Sequence, residues 1–227
     1  MAAKKAIVSL SGGMDSTTVL AWMLRQGYDV QAVGFYYGSK HNPHENALAK
    51  KLAGFFNVPF KLLDISSAFE GFKSNLLQSG GAIPEGHYQA PNMDQTVVPG
   101  RNMIFMSILA GLAWSEGAEA IGVGIHQGDH AIYADCRVEF HKAMDSAIYL
   151  GTDRRVELVA PFLHTDKTGI LEWGLPMGVP YELTRTCYKA EAVSCGKCGA
   201  CQERLEAFRN VDRDDPIKYA PVDGEVQ

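Results

Sequence analysis

A chain of 227 residues, 46% hydrophobic and 21% charged, is long enough for one substantial core and has the make-up of an ordinary globular protein. Its net charge of −5 argues against a general nucleic-acid coat, which needs surplus Lys and Arg to neutralise phosphates. No uninterrupted apolar run nears the roughly 20 residues that span a bilayer. Met1-Ala2-Ala3-Lys4-Lys5 leads into only a few apolar residues before Ser9, so a soluble, cytoplasmic protein with neither membrane segment nor secretory signal is expected.

Residues 4–10 (KKAIVSL) predict a short buried strand, broken at once by Ser11-Gly12-Gly13-Met14-Asp15-Ser16. A helix follows over 17–26, with Val19, Leu20, Met23 and Leu24 on one face and Gly27 as its stop. A second strand over 29–37, a helix over 43–56 with Pro43 in its first turn, and a third strand over 60–65 continue the alternation. Short connections between such elements predict an α/β fold, a parallel sheet with helices on both faces. The stretch 66–99 is irregular and rich in Gly, Ser, Gln and Asn, which suits either an active-site loop or a plain surface excursion. An apolar, buried helix over 101–114 comes next, then a strand over 118–125 and a polar segment over 126–137. A helix over 138–149, a short strand over 156–159 and a helix over 167–177 complete the series. The expected organisation is an α/β domain over 1–180, a cysteine-bearing segment over 181–211 packed on it, and a flexible tail over 212–227.

The glycine-rich segment lies where the first strand ends and the first helix begins. Backbone N–H groups and the positive helix end there surround an anion, the glycines permit positive φ, and Ser11, Ser16 and Thr17 offer hydroxyls. A tight turn with Ser16 as N-cap would use the same residues without a ligand. No G-x-x-x-x-G-K-[ST] pattern occurs, which excludes the common phosphate-binding loop. The segment resembles instead the SGGxDS motif of the PP-loop ATP pyrophosphatases. That resemblance implies ATP, with its pyrophosphate held by Leu10, Ser11, Gly12, Gly13, Met14, Asp15, Ser16, Thr17, Thr18 and Val19. It also implies Mg²⁺ held through Asp15.

Four of the five cysteines, Cys187, Cys195, Cys198 and Cys201, follow C-x7-C-x2-C-x2-C, with Gly196 and Gly199 supplying turns. Four thiolates without a nearby histidine favour a closed, structural Zn²⁺ site, and an iron–sulfur cluster is the alternative. The charged residues around them, Arg185, Lys189, Lys197 and Arg204 alternating with Glu182, Glu191, Glu203 and Glu206, read as a solvated mixture rather than a nucleic-acid surface. Cys136 stands apart and reads as a small packed side chain.

Val98-Pro99-Gly100-Arg101-Asn102, Tyr133-Ala134-Asp135-Cys136-Arg137 and Thr186-Cys187-Tyr188, taken in order with the loop and the cysteine spacing, resemble the 7-cyano-7-deazaguanine synthase family. The resemblance implies conversion of 7-carboxy-7-deazaguanine and ammonia to the nitrile in two ATP-dependent stages, by a possible homodimer. It casts Asp15, Ser16, Arg101 and Lys167 as catalytic, and Asp129, Tyr133, Asp135 and Arg137 as substrate-binding. Where the family has Glu-Thr-Asp-Phe-Ser-Gly-Tyr-Pro-Asp, this chain has Gln127-Gly128-Asp129-His130-Ala131-Ile132-Tyr133-Ala134-Asp135, which bears on the acceptor pocket more than on ATP. His126 and His130 read as polar lining. PP-loop chemistry on a tRNA base and a non-catalytic zinc nucleic-acid module are the competing readings.

Overall fold

The computed structural model describes residues 3–221. Five strands, β1 (Lys5–Ser9), β2 (Asp29–Tyr36), β3 (Phe60–Asp64), β4 (Ala120–Gly122) and β5 (Glu157–Val159), form one parallel sheet in the order β3-β2-β1-β4-β5. The helices are α1 (Met14–Arg25), α2 (Asn42–Phe55), α3 (Arg101–Glu116), α4 (Val138–Gly151), α5 (Lys167–Gly174) and α6 (Gly199–Asn210).

Alternation along the strands divides the core in two, because successive side chains leave opposite faces of a sheet. Ile7, Val33, Phe35 and Ile121 meet Met106, Leu109 and Ala113 of α3 and Met144 and Ile148 of α4. Ala6, Val8, Ala32 and Ala120 meet Val19, Leu20 and Met23 of α1, Ala49 and Leu52 of α2, and Ile170 of α5. Helices therefore cover both faces, as the alternation of elements requires.

Several elements depart from the sequence reading. Only one face of α3 is buried, through Met106, Leu109, Ala110 and Ala113, while Met103 and Trp114 are exposed. The apolar stretch Pro91–Glu116 has the length and hydropathy of a membrane span, but it is a short 3₁₀ helix (Pro91–Thr96) and α3, separated by a left-handed Gly100. β4 is shorter than 118–125, since regular pairing with both neighbours covers three residues. α5 stops at Gly174: Leu175 keeps helical backbone and still donates to Leu171 O, but Pro176 has no N–H with which to continue the ladder. The sequence reading overlooked α6, where glycine and cysteine mask a helical run whose Ala207 and Phe208 pack on Leu171 and Tyr181.

The stretch 66–99 is no loose excursion, since Phe69, Leu76, Leu77, Met93 and Val98 are all buried. The tail also needs correcting as far as residue 221. Asp215 forms a two-point pair with the fully buried Arg204 (2.7 and 2.9 Å) and accepts from Tyr219 Oη at 2.6 Å, and Ala220 N donates to Ser194 O. Residues 222–227 lie outside the described part. Nor is the charge around the cysteines a solvated mixture throughout: Arg185, Glu203 and Arg204 are buried.

Candidate active site

In an open parallel sheet the chain leaves neighbouring strands in opposite directions at one point, and a crevice opens there beyond the carboxyl ends. Here that point lies between β1 and β4. A cavity of about 200 Å³ sits over it, lined by the segments that follow β1, β2 and β4 and by the start of α3.

The floor is the loop after β1. Thr17 N donates the first helical hydrogen bond, to Gly13 O at 3.2 Å, so the amides of Met14, Asp15 and Ser16 precede the ladder and have no partner within it. Ser11 Oγ and Ser16 Oγ are 3.0 Å apart, and Ser11 Oγ accepts from Gly13 N at 3.2 Å. Gly13 occupies the N-cap position, so Ser16 is not the cap. Gly12 has φ +87°, and a Cβ there would lie 2.5 Å from Glu45 O, which is why α2 can press directly against the loop. Gly124, after β4, comes close to Ser16 N in the same way: a Cβ would sit 3.0 Å from it.

Of the ten residues from Leu10 to Val19, only Ser11, Gly13, Asp15 and Ser16 line the cavity. Leu10, Met14 and Val19 are core side chains. Thr17 Oγ1 donates to Gly13 O at 2.7 Å and Thr18 Oγ1 to Met14 O at 2.8 Å, so these hydroxyls are turned inward and are not loop donors.

One wall is ionic. Lys167, buried at the first turn of α5, lies 2.7 Å from Glu203 and 3.3 Å from Asp15 Oδ2. Burial alone would lower its ammonium, but the charges of Asp15 and Glu203 outweigh that and hold it well above the ordinary lysine range. Asp15 Oδ1 is buried and accepts no hydrogen bond. His126 faces the same carboxylate, with Nε2 at 3.8 Å from Asp15 Oδ2 and 3.5 Å from Asp129 Oδ2.

The opposite wall carries Arg101, whose Nη1 donates to Tyr37 Oη at 3.2 Å. Beside it are His41 and Glu45 from the start of α2, 3.5 Å apart. Burial, helped by the nearby Arg101 charge, lowers the His41 imidazole to about 3, and burial pushes the Glu45 carboxyl up to about 8. Tyr37, His41 and Glu45 line the cavity without having been singled out in the sequence, and Arg185 and Tyr188, read there only as neighbours of the cysteines, line it too.

The four expected substrate residues separate. Asp129 lines the cavity. Tyr133 lines a smaller one behind it. Asp135 instead holds the start of α3, accepting from Asn102 N at 3.0 Å, and exposed Arg137 donates to His130 O at 2.9 Å. Cys136 is packed, and burial raises its thiol well above the ordinary range, as expected of a side chain that is no nucleophile. In the altered loop, a Cβ on Gly128 would lie 2.6 Å from Glu203 Oε1 and 2.9 Å from His126 Cε1, so glycine leaves room for both side chains.

Below the cavity, the Sγ atoms of Cys187, Cys195, Cys198 and Cys201 lie within 4.8 Å of one another and can hold a metal ion. Backbone N–H groups point at the sulfurs, from Cys195 to Cys187 Sγ (3.4 Å) and from Lys197 and Cys198 to Cys195 Sγ (3.4 and 3.3 Å). Hydrogen bonds from Cys198 and Cys201 hold the Cys187 thiol far below its ordinary range, and the Cys198 contact brings Cys195 down to about 6, while the same contacts hold the Cys198 and Cys201 thiols above theirs. His126, Asp129 and Glu203 are also close enough to share an ion. However, Gly128 N donates to His126 Nδ1 (3.1 Å), which leaves the proton of the neutral ring on Nε2, and Lys167 already occupies Glu203.

The sheet order, the SGG turn after β1 and the ionic wall facing it define the PP-loop class of ATP-pyrophosphate-cleaving enzymes. The solved structure of the U34-tRNA thiolase NcsA from Methanococcus maripaludis shares the fold, with a TM-score of 0.51 at 14% identity over 93% of this chain and 67% of that one. Residues 5–212 match the family model for "Queuosine biosynthesis protein QueC", and the chain belongs to that family. It is 48% identical to 7-cyano-7-deazaguanine synthase 2 of Colwellia psychrerythraea, over 96% of this chain and 99% of that protein. It is 45% identical to the 7-cyano-7-deazaguanine synthase of Methanoregula boonei, over 96% of this chain and all of that protein.

Proposed function

We propose that this protein makes 7-cyano-7-deazaguanine from 7-carboxy-7-deazaguanine, ammonia and ATP. The observation that carries the reading is one cavity holding an anion loop, Asp15 and Lys167 on one side and Arg101 on the other, in a chain similar over nearly its full length to synthases of that nitrile. A carboxylate oxygen attacks the α-phosphorus of ATP, and pyrophosphate departs onto the loop amides and Lys167. Ammonia displaces AMP to give the amide. The amide oxygen then attacks a second ATP, releasing pyrophosphate again, and loss of AMP and both amide protons leaves the nitrile. Each AMP carries away one of the two carboxylate oxygens. The residues stabilise the departing charge and align the acceptor, with Arg101 placed for its carboxylate and Asp129 for its N–H groups.

The unpartnered Oδ1 of Asp15 fits Mg²⁺, which when bound would neutralise phosphate charge. The four thiols fit structural Zn²⁺, and keeping them free suits the reducing cytoplasm, where we place the protein. Exposed Met103 and Trp114 of α3 suit contact with a second copy, and light scattering would read the homodimer. The nucleic-acid readings lose their basic surface, because Arg185 and Arg204 are buried. The test is mass spectrometry on carboxylate-¹⁸O substrate with ATP, Mg²⁺ and ammonium: nitrile should form with one ¹⁸O in each AMP. Unlabelled AMP, or no nitrile, would refute the reading.

A further inference from the structure

Behind the main cavity lies a second one of about 20 Å³, and the two share Asp129, Tyr188 and Ala200 as walls. A water-sized molecule needs about 10–15 Å³, so the small cavity holds one such molecule and nothing the size of a nucleotide or a deazapurine. Four of the side chains facing it, Asp129, Glu203, Tyr133 and Tyr188, offer acceptors, and the phenol of a fifth, Tyr88, donates its proton to Glu206. Asp129 and Glu203 present carboxyl groups. Thr96 Oγ1 donates to Met93 O at 2.6 Å, so Tyr133 Oη, 2.7 Å away, must donate to Thr96. Tyr188 Oη, 3.3 Å from Tyr133 Oη, must in turn donate to Tyr133. Both phenol protons are thereby committed, and only lone pairs remain for an occupant.

A second observation comes from where the cavities meet at Asp129. His126 is 1% exposed, and because Nδ1 accepts from Gly128 N its ring proton sits on Nε2. That N–H has no partner and stops 3.5 and 3.8 Å from the Asp129 and Asp15 oxygens. The gap suits a small molecule that accepts one hydrogen bond and donates others to the carboxylates. Ammonia is water-sized, accepts one hydrogen bond and donates three, and so suits the gap at His126; ammonium, a donor only, suits the acceptor-lined small cavity. Resting on the function proposed above, we infer that the small cavity is the ammonium-binding site, that ammonium leaves its proton on the Asp129 carboxylate, and that the ammonia so formed passes His126 to the adenylated acceptor.

Ile132 lines only the small cavity, so the test begins there. Ile132→Phe should raise the KM for ammonium roughly tenfold, the equivalent of about 1.4 kcal/mol, while the KM values for ATP and carboxylate and kcat at saturating ammonium hold. Tyr133→Phe, which keeps the ring and removes one acceptor, should raise the same KM several-fold. Ile132→Ala should let methylamine compete and yield the N-methyl amide, which the wild type should not form. Unchanged ammonium KM in both Ile132→Phe and Tyr133→Phe, or ready use of methylamine by the wild type, would overturn the assignment. Carboxylate-dependent ATP–pyrophosphate exchange, measured without ammonium, separates the two levels. Its persistence in every variant leaves the synthase reading intact whatever the ammonium KM does, and its absence from the wild type would sink both.

Discussion

Asp15 presents its two carboxylate oxygens to different partners: Oδ2 faces Lys167 and His126, and Oδ1 is buried without a hydrogen bond. Removing it takes away the carboxylate proposed to hold Mg²⁺ and leaves Lys167 with one fewer counter-charge. Asp15→Ala should therefore cut pyrophosphate release on the order of a hundredfold, about 3 kcal/mol, with an unaltered circular dichroism spectrum. Wild-type turnover would remove the loop from the chemistry. Asp135 has the opposite character, because its carboxylate is spent on Asn102 N at the start of α3. Asp135→Asn should cost about 1 kcal/mol in urea unfolding, as for a weakened helix-start contact, and should not act selectively on the acceptor. A selective loss of acceptor binding at an unchanged unfolding midpoint would return Asp135 to the pocket. Both are aspartates in polar loops, and neither position alone distinguishes a ligand-binding carboxylate from a helix-holding one.

Among the elements, α6 connects the cysteines to the active site. Cys198 and Cys201 open the helix, Glu203 on its next turn pairs with Lys167, and Arg204 binds Asp215 of the following segment. A metal held by the four sulfurs would therefore fix the geometry of Lys167 as well as the C-terminal docking. Purified protein should carry close to one equivalent of Zn²⁺ by elemental analysis. Cys195→Ser should lose the ion, unfold at lower denaturant and show reduced activity at temperatures where it remains folded. Iron with stoichiometric sulfide would assign the site to a cluster instead. The C-x7-C-x2-C-x2-C spacing made the four ligands legible. The pairing of Glu203 with Lys167 was hidden, since 36 residues separate them and only the tertiary fold sets α5 against α6.

For the molecule as a whole, the polar cavity imposes a pH dependence on folding. Glu45 titrates at about 8 in the fold against 4.5 ordinarily, so the folded state holds its proton more tightly. The stabilisation this gives is complete below about pH 4.5 and is lost as pH rises towards 8. His41, lowered to about 3 from 6.5, behaves inversely: its contribution is full above pH 6.5 and is lost as pH falls towards 3. Glu45→Gln cannot ionise, so relative to wild type it should gain more than about 1 kcal/mol between roughly pH 5 and 8.5, the worth of one pKa unit. Urea unfolding at the two pH values reads this directly, and a constant difference would show that Glu45 is solvated in the free protein.

Local chemistry was enough to specify the parallel sheet with helices on both faces, the glycine turn between Ser11 and Ser16, and the four cysteines that cluster closely enough to hold a metal. Each depends on residues close in sequence: hydrophobic periodicity, glycines at a strand-to-helix turn, and thiols two residues apart. Tertiary structure alone decided which side chains share the cavity. It brought Tyr37, His41 and Glu45 from beyond β2, Arg101 from α3 and Lys167 from α5 to the carboxyl ends of β1 and β4. It also turned Thr17 and Thr18 inward and committed Asp135 to a helix start. A side chain's role follows from the direction in which packing points it and from the partner that takes its hydrogen bond, and neither is encoded within a few residues of sequence.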